Sequence, residues 1–170
     1  MNTNRRFQEI VTTGFSKEKI ISIYREYVRD ELRELQEAKT LPEIIKEACD
    51  VAIVCDPLIW WGDSIDAHLH TNIKTAMMSM INESTVDYDS AMNAVVCSNM
   101  SKFLLPSELV NAQAHFIDMG IQVRFDQLDH ELFGAFSQKD QTVDGKFYPK
   151  DKLLKPHSYA EVDESREFWL

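Results

Sequence analysis

The sequence predicts an all-α fold, a helical bundle followed by an irregular C-terminal extension, and three patterns predict it. Apolar residues recur at helical spacing from Ser16 to about Lys39; a nearly unbroken apolar run, ACDVAIVCDPLIWWG, follows; beyond Gly120 the helical period fades. In the first pattern Ile20, Tyr24, Val28, Glu31, Leu35 and Ala38 form one stripe, with Ser16 placed to cap the start. The next helix opens at TLPE, where Thr40 caps, Glu43 reaches back in a capping box, and Pro42 sits in the first turn, where its missing donor costs nothing. Its apolar run is the mark of a helix covered on several sides. Pro57 predicts a kink or restart, with Asp56 as the new cap.

Residues 58 to 82 read as further helix, NESTVDYDS as a polar turn, and Tyr88 to Phe103 as another helix. After Pro106, SELVNAQAHFIDMG reads as a short helix closed by Gly120. The tail from Ile121 reads as loops with one or two short strands, VDG placing an Asp-Gly turn between QTV and KFY in a β-hairpin. The organisation expected is a helical core over residues 1–120 and an extension over 121–170 that covers the core and its site.

With 170 residues, 44% of them hydrophobic, the chain is long enough to bury one sizeable core. Its net charge of -10 argues against a broad basic face and hence against a nucleic-acid polymer as partner. Cys49, Cys55 and Cys97 are too scattered for a disulfide framework or a zinc motif, and each lies in an apolar stretch suited to a buried thiol, so a reducing, cytoplasmic setting is expected. No segment approaches the roughly 20 uncharged apolar residues of a membrane span.

The residues that point to chemistry are acids. Glu31 and Glu34 are three apart on one helix, and Glu31 interrupts an apolar stripe; Glu47 and Asp50 repeat the spacing on the next helix, in line with Ile44, Val51 and Val54. Antiparallel packing about Thr40 brings the two pairs together. Like charges about 4 Å apart repel by about 4 kcal/mol at an effective dielectric near 20, so four carboxylates require protons or cations, and hard divalent ions suit them. The alternative is four surface charges paired with arginines such as Arg29 and Arg33. A di-iron bundle wants Glu-x-x-His, and the fourth position here is Asp.

DELREL followed by EACD resembles the ExxE and ExxD motifs of the all-α nucleoside triphosphate pyrophosphohydrolases, the superfamily of MazG, the dimeric dUTPases, the dCTP pyrophosphatases and phosphoribosyl-ATP pyrophosphohydrolase. VDYDSAMNAVVCSNMSKF is similar to the MazG-like segment that ends in Asn-Met-Ser-Lys, and DKLLKPHSY to the closing segment of phage and bacterial MazG-like proteins. The resemblance implies a MazG-like bundle that uses Mg2+, with Mn2+ as a substitute, to split (deoxy)nucleoside triphosphates into monophosphate and pyrophosphate. Carried over by position, Glu31, Glu34, Glu47 and Asp50 hold metal, with Glu31 or Glu34 activating the attacking water. Asn99, Lys102, Lys155 and Tyr159 contact phosphate. Asp87 either joins the acids or caps its helix, the cap being favoured, and Phe7 either lines a base pocket or packs in the core. A homodimer or homotetramer in the cytoplasm of a bacterium or phage-infected host is implied.

Three features depart from that family's pattern. Asp30 stands where the family often has a further glutamate, and is either a shortened ligand or a surface residue. The interval from Asp50 to Asp87 is long, marking residues 62–80 as a candidate insertion, and the run from Lys102 to Lys152 is long as well. The alternatives are a hydrolase of another pyrophosphate-containing metabolite, phosphoribosyl-ATP or an alarmone, or a catalytically silent helical domain that binds nucleotide or protein. His68 and His70 read as surface histidines, Trp60 and Trp61 as core or interface, and Met77, Met78 and Met80 as packing.

Overall fold

The computed structural model describes residues 3–84 and 86–162. Among them are six α-helices and five short strands, in the order α1 (Thr3–Val11), α2 (Lys17–Glu37), α3 (Leu41–Trp61), α4 (Ser64–Glu83), α5 (Tyr88–Met100), β1 (Phe103–Leu104), α6 (Leu109–Asp118), β2 (Val123–Gln127), β3 (Phe133–Ser137), β4 (Gln141–Val143) and β5 (Lys146–Tyr148). The protein is thus mostly helical with a small β region, and the chain divides into two compact units, one running to Cys97 and the other spanning Ser98–Glu161.

In the first unit α2 and α3 form a helical hairpin. The Ser16 side chain accepts from the Lys19 amide to start α2, and at α3 Thr40 and Glu43 exchange the two bonds of a capping box, with Pro42 in the first turn. Ile20, Tyr24 and Val28 of α2 pack on Val51, Val54, Cys55 and Leu58 of α3. Ile45, Ala48, Cys49, Ala52 and Ile53 are buried as well, which accounts for an apolar character that runs nearly round α3.

Pro57 does not restart α3, which continues to Trp61, and Asp56 is a buried side chain and not a cap. A proline leaves the carbonyl four residues back without its helical donor, here that of Ile53. Gln8 of α1 supplies the replacement, its Nε2 donating to Ile53 O at 3.2 Å. Gln8 Oε1 accepts from the Tyr24 hydroxyl, and Asn4 Nδ2 donates to Asp56 Oδ2 at 2.6 Å. The other oxygen of Asp56 takes the Lys74 ammonium of α4. One polar chain therefore ties α1, α2, α3 and α4 together inside the apolar core, its buried groups satisfied as low-dielectric burial demands.

The expected continuous helix over 58–82 is two helices. At Gly62 a Cβ would collide with the Leu58 carbonyl and the Asp66 side chain, so glycine alone fits the corner. Asp63 then caps α4, accepting from Ile65 N at 2.8 Å and Asp66 N at 2.9 Å. Residues 62–80, the candidate insertion, make up most of α4, which buries Asp66 and His70 and is anchored to α2 by the two bonds that Asp66 receives from Arg25, at 2.7 and 3.1 Å.

The second unit begins within the last turn of α5 and not after Gly120. Phe103, expected in the helix, lies in β1. β1, β3 and β2 form an antiparallel sheet in that order, with Leu104 opposite Phe133 and Val123 opposite Ser137. Leu104, Ala112 and Phe116 of the segment before Gly120 share one core with Ile121, Ala135 and Leu154, and this core places α6 with the strands. The β4–β5 hairpin is the one expected, with Asp144 and Gly145 both at positive φ, 50° and 79°, as a tight I′-type turn requires. The expectation of one or two strands falls short: Val123, Arg124, Phe125 and Asp126 of β2 do alternate, but over only five residues, and β3, FGAFS, has no apolar-polar alternation to reveal it.

Candidate metal centre

The acids meet where the helical hairpin brings the C-terminal half of α2 beside the start of α3. Carboxylate oxygens of Glu31, Glu34 and Glu47 all lie within 4.8 Å of one another. Glu31 and Glu47 are half-buried and Glu34 is exposed. Asp50, one turn further along α3, joins through a cation: the Lys46 ammonium donates to Glu47 Oε1 at 2.6 Å and to Asp50 Oδ2 at 3.2 Å.

Electrostatic strain is concentrated on Glu31. Burial, reinforced by Asp50, Glu34 and Glu47, pushes its carboxyl up to about 8. Burial also raises Glu47, with the Lys46 hydrogen bond working against it. Burial disfavours the Lys46 charge, but Asp50 and Glu47 outweigh it and hold the ammonium above the ordinary lysine pKa. Glu47 Oε2 is buried with no hydrogen-bond partner. An orphaned carboxylate oxygen beside two further carboxylates is a donor set suited to a hard divalent ion.

Glu34 and Glu47 also form part of the wall of a cleft of about 530 Å³, which Arg33, Glu37, Lys39 and Glu43 complete. No family model, curated protein or solved structure matches this chain. What the site can do is therefore argued from its own chemistry: clustered acids for a metal, and Arg33 and Lys39 in the same cleft lining for anionic oxygens.

The other candidates sort clearly. Asp30 pairs with Arg33 at 3.1 Å on the surface, both side chains more than half exposed, and stands outside the three-glutamate group. Asp87 caps α5, its Oδ2 accepting from Ser90 N at 2.9 Å. Phe7 is buried. In the second unit Asn99 and Lys102 are joined, Lys102 Nζ donating to Asn99 Oδ1 at 2.5 Å, and Lys155 Nζ stands 4.4 Å from the centre of the Tyr159 ring. Ser98 and Ser101 latch the same segment: Ser98 donates to the Ala160 carbonyl at 2.8 Å and lies 3.0 Å from the Tyr159 hydroxyl, and Ser101 Oγ accepts from Ala160 N at 2.9 Å.

His68 is exposed, whereas His70 is buried with Nδ1 2.7 Å from the Asp66 carbonyl, so the two point apart but only one is a surface histidine. Trp60 and Trp61 are half-buried and meet edge to face. Met77 packs on the α2–α3 core, Met78 lines a cavity beside Asp56, and Met80 is half-buried. Cys49 and Cys55 are buried, but Cys97 is exposed, contrary to its apolar sequence context, because Val95 and Val96 and not Cys97 face inward from α5.

Proposed function

We propose that this protein is a metal-dependent nucleoside triphosphate pyrophosphohydrolase of MazG-like type, releasing pyrophosphate and a nucleoside monophosphate. The observation that carries the reading is the convergence of Glu31, Glu34 and Glu47, with a buried oxygen of Glu47 left unmatched. In this reading Glu31, Glu34, Glu47 and Asp50 hold Mg2+, for which Mn2+ substitutes. When bound, the ion supplies charge neutralisation for the polyphosphate and lowers the pKa of coordinated water.

The chain's own groups do the rest. Glu34, an exposed residue of the cleft lining, would accept a proton from water, and Glu31, whose carboxyl is held protonated by its surroundings, would have to be ionised to hold metal. Arg33 and Lys39 bring positive charge to an otherwise acidic wall. Asn99, Lys102, Lys155 and Tyr159 offer the amide, ammonium and hydroxyl groups that triphosphate oxygens accept from. A homodimer or homotetramer in the cytoplasm belongs to the same proposal; no helix among the described residues is long and apolar enough to cross a membrane.

The test is pyrophosphate release from a panel of ribo- and deoxynucleoside triphosphates with Mg2+, with wild type beside Glu34→Gln. Turnover that needs metal and falls at least about a hundredfold in the variant is expected for loss of one general base. No turnover of any nucleotide overturns the reading.

A further inference from the structure

The group lodged among the acids is a lysine that the ExxE and ExxD spacing does not foretell. Lys46 precedes Glu47 by one residue and Asp50 by four, so one flexible side chain rooted on α3 reaches both carboxylates. Its reach is incomplete, since Glu47 Oε2 keeps no partner. Its side chain is 27% exposed, which leaves it a way out toward solvent. We propose that Lys46 is a built-in competitor for the metal, its ammonium standing among the carboxylates until a divalent cation displaces it. This inference rests on the metal-centre reading above.

Charge counting makes the device selective. A monovalent ion that takes the place of the ammonium leaves the charge balance as it was, and must also outcompete a tethered rival whose effective concentration is high. A divalent ion adds charge that the cluster lacks and offers several coordination bonds where the lysine offers two hydrogen bonds. Lys46 thus holds Glu47 and Asp50 together before metal arrives and screens out ions that bring a single charge.

The test uses the full chain and Mn2+ alone. Binding is read from the loss of the free-ion paramagnetic resonance signal in wild type and in Lys46→Met, which keeps the apolar stem and removes the charge. About tenfold tighter binding in Lys46→Met is expected, because about 1.4 kcal/mol of competition is enough to produce it. Equal or weaker binding in the variant overturns the competitor role and leaves the metal centre standing. Absence of binding in both chains removes the metal centre and the proposal together.

A second readout needs no variant. Acetylation of the wild-type chain, followed peptide by peptide by mass spectrometry, measures the availability of each lysine amine. Added Mg2+ is expected to raise the labelling of Lys46 severalfold while exposed Lys17 stays constant. Labelling of Lys46 that is unchanged or lowered by Mg2+ overturns the displacement.

Discussion

Glu31→Gln isolates the electrostatic strain in the acid cluster. The carboxyl of Glu31 is pushed up to about 8 in the folded protein, first by burial and then by Asp50, Glu34 and Glu47, whereas in an unfolded chain a glutamate ionises near 4.3. Between those values the folded state keeps a proton that the unfolded state has released. Stability is therefore full below the ordinary glutamate pKa and is lost as pH rises through the folded value. A fully responsive group loses about 1.4 kcal/mol per pH unit. Solvent at Glu34 and the Lys46 charge damp the response, so a fall of about 2 kcal/mol between about pH 5 and about pH 8 is expected. Urea midpoints measured with a chelator present report it. Glu31→Gln should flatten the profile and exceed wild type in stability at the upper end. Mg2+ should reverse the wild-type slope, because binding requires the ionised carboxylates and releases the proton. A flat wild-type profile, or an unchanged slope in Glu31→Gln, refutes the reasoning.

Four further outcomes follow from the geometry. Asp56→Leu strands the Lys74 ammonium and removes the bond from Asn4, and should cost about 3 kcal/mol by urea denaturation, with Asp56→Leu/Lys74→Met recovering most of it. Gln8→Leu should cost about 2 kcal/mol, and less in a Pro57→Ala background, where the helical donor to Ile53 returns; equal cost in both backgrounds would falsify the role given to Gln8. Gly145→Ala, at φ 79°, should lower the melting temperature by an amount equivalent to about 1 kcal/mol, while Gln138→Ala at an exposed site should not. Asp50→Asn should weaken Mn2+ binding and Asp30→Asn leave it unchanged, since the Asp50 charge acts on Glu31 within the cluster whereas Asp30 pairs with Arg33 on the surface.

The parts of the fold legible in the sequence are those fixed by local bonds. Ser16, Thr40 and Glu43 announce their helices because each satisfies backbone groups within four residues, and Asp144 with Gly145 sets its turn alone. The break at Gly62 is equally local, with Asp63 a ready cap and Ser64 and Asp66 beyond it, but the apolar run that ends in Trp60 and Trp61 makes the helix look continuous. Pro57 predicts a restart that the structure lacks, because the bond that rescues its helix comes from Gln8, which no local rule reveals. In the site, spacing predicts four neighbouring carboxylates, of which Glu31, Glu34 and Glu47 converge and Asp50 joins Glu47 through Lys46. It gave no warning of Lys46, since a lysine before a glutamate is ordinary on any helix and only burial makes it count.

The bond from Gln8 to Ile53 also bears on the order in which the chain acquires its structure. Its partners stand 45 residues apart, and those of the Asn4 to Asp56 bond 52. During synthesis the segment carrying Gln8 leaves the ribosome first, yet the carbonyl it serves does not exist until α3 has emerged. The α2–α3 hairpin can assemble from near neighbours, whereas the nine residues of α1 wait for a partner made later. Nascent chains truncated before Ile53 should therefore leave α1 open to protease, and chains extended beyond α4 should protect it.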